Sequence, residues 1–68
     1  MGFEKIVLDK VAKVLEQDRQ AYFVNGTLFV RTTPDQAIEV LSMLFADYNG
    51  KVLGNQFSDD EYYYDFVA

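Results

Sequence analysis

The chain has 68 residues, a formal net charge of −5, and neither cysteine nor histidine. These counts exclude disulfides, histidine general bases, and most zinc or haem ligation within one chain. Half of the residues are hydrophobic, which excludes a disordered segment and predicts one small folded domain over residues 1–68.

The charge is distributed unevenly along the chain. Residues 1–31 carry five basic and four acidic side chains, whereas residues 32–68 carry Lys51 as their only base against seven acids. Nucleic acids require cationic contacts, and anionic lipid attracts basic segments. The distribution predicts a protein that binds neither nucleic acid nor membrane.

The sequence shows no recognisable targeting signal. Residues 1–5 lack the basic, apolar and small-residue regions of a secretory signal. Charged residues interrupt the longest apolar stretches, so no segment is expected to span a bilayer. We therefore expect a cytoplasmic protein.

The first predicted element is a helix over residues 3–20. Apolar residues recur at helical spacing along one stripe, while Lys5, Asp9 and Lys13 fall on the opposite side. Ile6 lies outside the stripe or at its margin. The predicted stripe consists of Phe3, Val7, Leu8, Val11, Val14 and Leu15.

A β-hairpin is predicted next, with strands over residues 21–24 and 27–32. Asn25-Gly26 separates the strands, and both residues tolerate the positive φ that a two-residue type I′ turn needs. One predicted face carries Ala21, Phe23, Leu28 and Val30. The other predicted face carries Tyr22, Val24, Thr27, Phe29 and Arg31.

A second helix is predicted from Thr33 to about Tyr48. Thr33 is the expected N-cap, with Pro34 at the first helical position and Gln36 completing a capping box. Asn49-Gly50 is expected to end the helix with a C-terminal cap in the left-handed conformation. The predicted buried stripe consists of Ala37, Val40, Leu41, Leu44 and Tyr48. Ile38 and Phe45 widen this stripe on one side, so the helix requires cover on more than one flank.

The last two predicted strands, over residues 51–58 and 61–67, are joined by a turn at Asp59-Asp60. A tight turn predicts one face with Leu53, Phe57, Tyr62, Tyr64 and Phe66. The other face then carries Val52, Gln56, Tyr63, Asp65 and Val67. A shift of one residue would exchange these sets, because side chains alternate between the faces of a strand.

The α-β-β-α-β-β order predicts an α+β fold: a four-stranded antiparallel sheet with two helices on one face. Moving one strand from the end to the beginning converts this order into a ferredoxin-like arrangement. We therefore expect a circularly permuted ferredoxin-like sandwich. Two αββ units exchanged between subunits would give the same pattern, and this remains an alternative.

No catalytic residue, cofactor or metal site is expected. The only serines, Ser42 and Ser58, have no histidine partner that could activate them. The four glycines are isolated, so they form no phosphate-binding loop. The run Asp59-Asp60-Glu61 lacks the spacing of a calcium loop and is interpreted as a solvated hairpin tip.

The run Tyr62-Tyr63-Tyr64 is not expected to form a nucleic-acid stacking platform. Alternation sends Tyr63 to the face opposite its two neighbours, and nearby acids repel phosphate. Strands favour aromatic residues for ordinary packing reasons.

The main functional hypothesis is a non-enzymatic acidic module for protein binding or assembly, of the kind that phages and bacteria encode as accessory proteins. It is expected to form a homodimer through the sheet face that the helices leave uncovered, with the Ile38/Phe45 flank as the next candidate. The predicted interface consists of Tyr22, Val24, Phe29, Arg31, Val52, Tyr63 and Val67. An acidic mimic of nucleic acid that occupies a basic protein surface, and a small-molecule-binding domain, remain alternatives.

Overall fold

A computed structural model describes residues 2–15 and 20–67. The part of the chain described contains two helices and an antiparallel four-stranded sheet in the order β1-β2-β4-β3, which confirms the α+β class. The elements in chain order are α1 (Phe3–Val14), β1 (Gln20–Val24), β2 (Thr27–Arg31), α2 (Pro34–Asp47), β3 (Val52–Ser58) and β4 (Glu61–Phe66).

Helix α1 ends earlier than predicted. Leu15 has an extended backbone (φ −77°, ψ 148°), so the helix stops at Val14. Residues 16–19 of the predicted helix lie outside the described residues, and Gln20 already belongs to β1. No glycine or proline marks this end, so the apolar periodicity gave no signal for it.

The first hairpin forms as predicted. Asn25 and Gly26 have φ values of 50° and 83°, in the left-handed region that a type I′ turn requires. Val24 pairs with Thr27, and the register continues without interruption to Gln20 and Arg31. This register buries Leu28 and Val30 of β2.

Helix α2 has the predicted N-cap, because the Thr33 hydroxyl oxygen accepts a hydrogen bond from the Gln36 backbone N–H at 3.3 Å. The Gln36 side chain does not complete the predicted capping box, because it has a different hydrogen-bond partner. It accepts a hydrogen bond of 2.6 Å from the hydroxyl of Thr32, which is fully buried. Burial explains the choice, since a buried hydroxyl needs a partner.

The C-terminal end of α2 is also as predicted. Asn49 and Gly50 have positive φ values of 56° and 75°. The Gly50 N–H donates a hydrogen bond of 2.8 Å to the Phe45 carbonyl, which satisfies one of the free carbonyls of the last helical turn.

The second hairpin has the predicted turn but a different register in β3. Ser58 pairs with Glu61 across Asp59-Asp60, yet Gln56, not Phe57, pairs with Tyr62. The extra residue is a β-bulge, and it reverses the facing of every β3 residue that precedes it. The predicted facing of β3 is therefore wrong, whereas that of β4 is correct.

The consequence of the bulge is clearest at two neighbouring residues. Val52 lies in the core with 2% of its surface exposed, whereas Leu53 is 60% exposed. Both were predicted on the opposite sides.

The core contains residues from both helices and three strands. Tyr64 is the largest of its fully buried side chains. Its hydroxyl donates a hydrogen bond of 2.9 Å to the Ala37 carbonyl and so joins β4 to α2. The core cluster consists of Val7, Val11, Leu28, Val30, Val40, Leu44, Val52 and Tyr64.

Candidate interaction surface

The side chains that point away from the core cluster form a second face of the sheet, here called the outer face. Its members follow from strand register and from the bulge in β3. They are Gln20, Tyr22, Val24, Thr27, Phe29, Arg31, Leu53, Asn55, Phe57, Ser58, Glu61, Tyr63 and Asp65.

An aromatic row crosses this face and takes one ring from every strand. Tyr22 stacks on Phe29 with ring centroids 5.7 Å apart, and Phe29 lies 6.0 Å from Tyr63. Phe57 completes the row with its edge toward Tyr63 at 6.4 Å. Rings at these distances attract one another by about 0.5–1.5 kcal/mol per pair beyond the burial of their area.

Strand pairing is the cause of the row. Phe29 pairs directly with Tyr22 on one side and with Tyr63 on the other. Directly opposed side chains on one face lie about 4.5–5.5 Å apart at Cβ, so three large rings must touch. Phe57 joins them because the bulge turns it to the outer face.

Polar groups at the border of the row already have partners within the chain. The Thr27 hydroxyl donates a hydrogen bond of 2.7 Å to Asp65, and the Ser58 hydroxyl donates one of 2.8 Å to Glu61. Arg31 is paired with a carboxylate oxygen of Asp60 at 3.2 Å.

Most of the predicted interface residues lie on or beside this face. Tyr22, Phe29 and Tyr63 form three quarters of the row, and Val24 is 46% exposed near the end of β1. Arg31 lies at the border in its ion pair with Asp60.

Two predicted interface residues lie elsewhere. Val52 is in the core for the reason given above, so its prediction as an interface residue is wrong. Val67 follows the end of β4 and lines a hollow with Phe3 of α1 and Tyr48.

Sequence reasoning missed Leu53 and Phe57, although Gly54 gave a signal. A Cβ atom at Gly54 would lie 3.1 Å from a methyl group of Leu41 and 3.3 Å from the Tyr64 ring. A side chain at position 54 would have to displace Leu41 by a few tenths of an ångström, so glycine favours the close approach of α2 to β3. A glycine in β3 opposite a predicted helix therefore indicates the core side, which places Leu53 on the outer face.

Other kinds of site find no support in the described residues. No group of three or more acidic side chains there is arranged to hold a metal ion. Neither described helix is long and apolar enough to cross a membrane.

Comparison of the chain with family models, with curated proteins and with solved structures gives no match.

Proposed function

We propose that this protein is a non-enzymatic assembly module that self-associates through its outer face. The observation that carries the proposal is the aromatic row, which extends over all four strands and remains partly exposed. A strand face that only meets water carries mostly polar and charged side chains, whereas six of the thirteen side chains of this face are apolar or aromatic, and four of these form one continuous row.

The chemistry of the row suits a protein partner. Tyr and Phe are enriched at the centres of protein interfaces, where they bury a large area at a small cost in side-chain entropy. Mutual contacts already restrict these rings before any partner arrives. Less conformational freedom is then lost on association.

The border of the row favours a protein partner over a phosphate-bearing one. Glu61 and Asp65 lie beside the rings, and Arg31 is already engaged by Asp60. The border hydrogen bonds are intramolecular, so a second copy can meet the rings while Thr27, Asp65 and Glu61 keep their partners.

The proposal includes the finer fold, a circularly permuted ferredoxin-like sandwich with both helices on the same face. Two observations support it. The core cluster combines Val7 and Val11 of α1 with Val40 and Leu44 of α2. The order β1-β2-β4-β3 is the one obtained when the first strand of a ferredoxin-like sheet is moved to the end of the chain.

Light scattering and sedimentation test the outer-face proposal. We expect the protein to self-associate at about 100 μM, a concentration at which even weak homodimers populate. Association should change little with salt, because it buries apolar rings and not opposite charges. A monomeric mass at this concentration would overturn the proposal.

Substitutions locate the contact. Phe29→Asp and Tyr63→Asp should dissociate the outer-face contact, because each places an unpaired charge in a dry interface. Ile6→Asp is the matched control: it adds the same charge at an apolar side chain of α1 that is 41% exposed. Circular dichroism must show that all three variants are folded. If the folded Phe29 and Tyr63 variants associate like the control, the outer face is not the contact.

A further inference from the structure

Strand β3 is an edge of the sheet, and it lacks the usual protection of an edge. Its sequence, VLGNQFS, has no charged residue and no proline over seven positions. Natural edge strands commonly carry lysine, proline or inward-pointing charges, because free backbone N–H and C=O groups otherwise pair with another strand. In a chain of net charge −5, a neutral edge is a place where two copies can approach.

The most exposed large apolar side chains of the described residues gather around this edge. Phe57 and Leu53 are 66% and 60% exposed on the outer face of β3, and Ile38 of α2 is 64% exposed on the core side. Phe45, at 55%, packs its ring over Gly50 just before β3 begins. Every other exposed large hydrophobic side chain described is below 50%.

An apolar groove of about 280 Å³ runs between α2 and β3. Ile38 and Leu41 form its helix wall, while Gly54 and Gln56 form its strand wall. The edge is therefore bordered by apolar surface on both faces of the sheet: Leu53 and Phe57 on one, the groove on the other.

We propose that β3 pairs antiparallel with β3 of a second copy, about a two-fold axis through Asn55, so that two sheets join into one of eight strands. In this register Leu53 lies opposite Phe57 of the other copy on the outer face. Gly54 lies opposite Gln56 on the core side, where the missing side chain leaves room. The contact is self-complementary, as a two-fold interface must be.

Two features favour a second copy as the occupant. The strand carries no charge, so it adds no direct repulsion between two acidic chains. The pairing of β3 with β4 is uninterrupted from Val52 to Gln56, so Asn55 lies in a regular part of the edge that the same segment of a second copy can match. This surface shares Phe57 with the aromatic row but is centred on the free backbone edge of β3, and the inference does not depend on the proposed function.

Cysteine cross-linking tests the register. The chain has no cysteine, so Asn55→Cys introduces a single thiol at the two-fold axis. Directly opposed residues of antiparallel strands have Cα atoms about 4.5–5.5 Å apart, within the span of a disulfide. Mild oxidation of this variant should give a covalent dimer.

Leu53→Cys is the matched control on the same strand and face. Its two copies would be four strand positions apart, roughly 13 Å, which is too far for a disulfide. Efficient cross-linking at 55 and little at 53 supports the inference. Absence of cross-linking at 55, or equal cross-linking at both positions, overturns it.

Sedimentation of a second pair of variants separates this edge from the outer face. Ile38→Lys should weaken edge pairing at least tenfold, because it brings two like charges together near the axis. Ile6→Lys, with the same change in net charge, should not. Both side chains are exposed, so neither change should unfold the protein.

The outcomes distinguish the two proposals. If Ile38→Lys lowers the assembled mass and Phe29→Asp does not, the edge contact stands and the proposed function fails. If only Phe29→Asp lowers it, the edge inference fails. A wild-type protein that stays monomeric at about 100 μM overturns both.

Discussion

The two hairpins of this sheet have turns of equal length but different strand geometry. In the first, Asn25 and Gly26 both take positive φ and the strands pair without interruption. In the second, Asp59 and Asp60 take no positive φ, and β3 carries a bulge at Phe57.

Turn chemistry accounts for the difference. A two-residue turn matches the natural twist of a hairpin only in the primed types, which need positive φ. Asp59-Asp60 lacks the glycine that the favoured pairs of a type I′ turn carry at the second position. The strands then accommodate an extra residue, since a bulge increases the local twist. The absence of positive φ in the second turn thus decides, through the bulge, which side chains of β3 reach the core.

The largest difference in stability is expected when the same substitution is made at two neighbouring residues of β3. Val52→Asp should destabilise the domain by about 3–5 kcal/mol, because it leaves a charge buried without a partner. Leu53→Asp should change the unfolding free energy by only about 0.5 kcal/mol, as at an exposed site. Urea denaturation at low protein concentration measures both. A larger loss of stability for Leu53→Asp than for Val52→Asp would show that β3 has the register without a bulge.

Deletions test the bulge directly. Removing Phe57 should cost only about 1 kcal/mol, because Gln56–Tyr62 and Ser58–Glu61 already pair around it. Removing Asn55 in addition should cost about a further 2–5 kcal/mol, because no extra residue then remains to absorb the second deletion and Val52 shifts out of the core. Thermal unfolding of the two deletion variants compares them. Equal losses from the first and the second deletion would mean that Phe57 is an ordinary paired residue.

The turns themselves should differ in their sensitivity to alanine. Replacing Asn25-Gly26 by Ala-Ala should cost about 1–3 kcal/mol, because alanine disfavours the left-handed backbone at both positions. Replacing Asp59-Asp60 by Ala-Ala should cost about 0.5 kcal/mol, since no positive φ is needed and the Arg31–Asp60 pair is exposed. Comparable losses in the two double variants, measured by chemical denaturation, would contradict our account of the turns.

The smallest effect concerns Tyr64, which joins the hairpins by pairing with Leu28. Tyr64→Phe should cost about 1 kcal/mol, the typical value of one hydrogen bond. Burial raises the pKa of Tyr64 above its ordinary value of 10.0. The unfolded chain therefore ionises first, and the stability held by the neutral phenol, complete below pH 10, falls as the pH rises further. The wild-type protein should lose stability above pH 10 more steeply than the variant. Parallel pH profiles of unfolding free energy would show that Tyr64 does not titrate in this way.

Elements marked by local chemistry could be predicted from the sequence. Asn25-Gly26 set the first register, and Thr33 and Gly50 set the limits of α2, because each acts on the backbone of its own neighbours. The bulge depends on how two paired strands twist around each other. The alternation of apolar and polar residues carries no information about that twist. Val52 was therefore placed on the wrong face, and Phe57 was absent from the predicted interface. The aromatic row joins four segments that meet only after the strand order is known, so sequence could supply its members Tyr22, Phe29 and Tyr63 but not their contact.

The position of β4 between β2 and β3 also has a consequence for how fast the protein folds. Each hairpin closes a short loop and can form in microseconds, but the sheet is joined only when β4 meets β2. That step brings together residues such as Thr27 and Asp65, 38 positions apart. Because distant contacts require loop closure before they contribute stability, we expect this docking to set the folding rate. A more rigid Asp59-Asp60 turn, which forms before this step, would then accelerate folding more than it slows unfolding, and stopped-flow refolding can measure both rates.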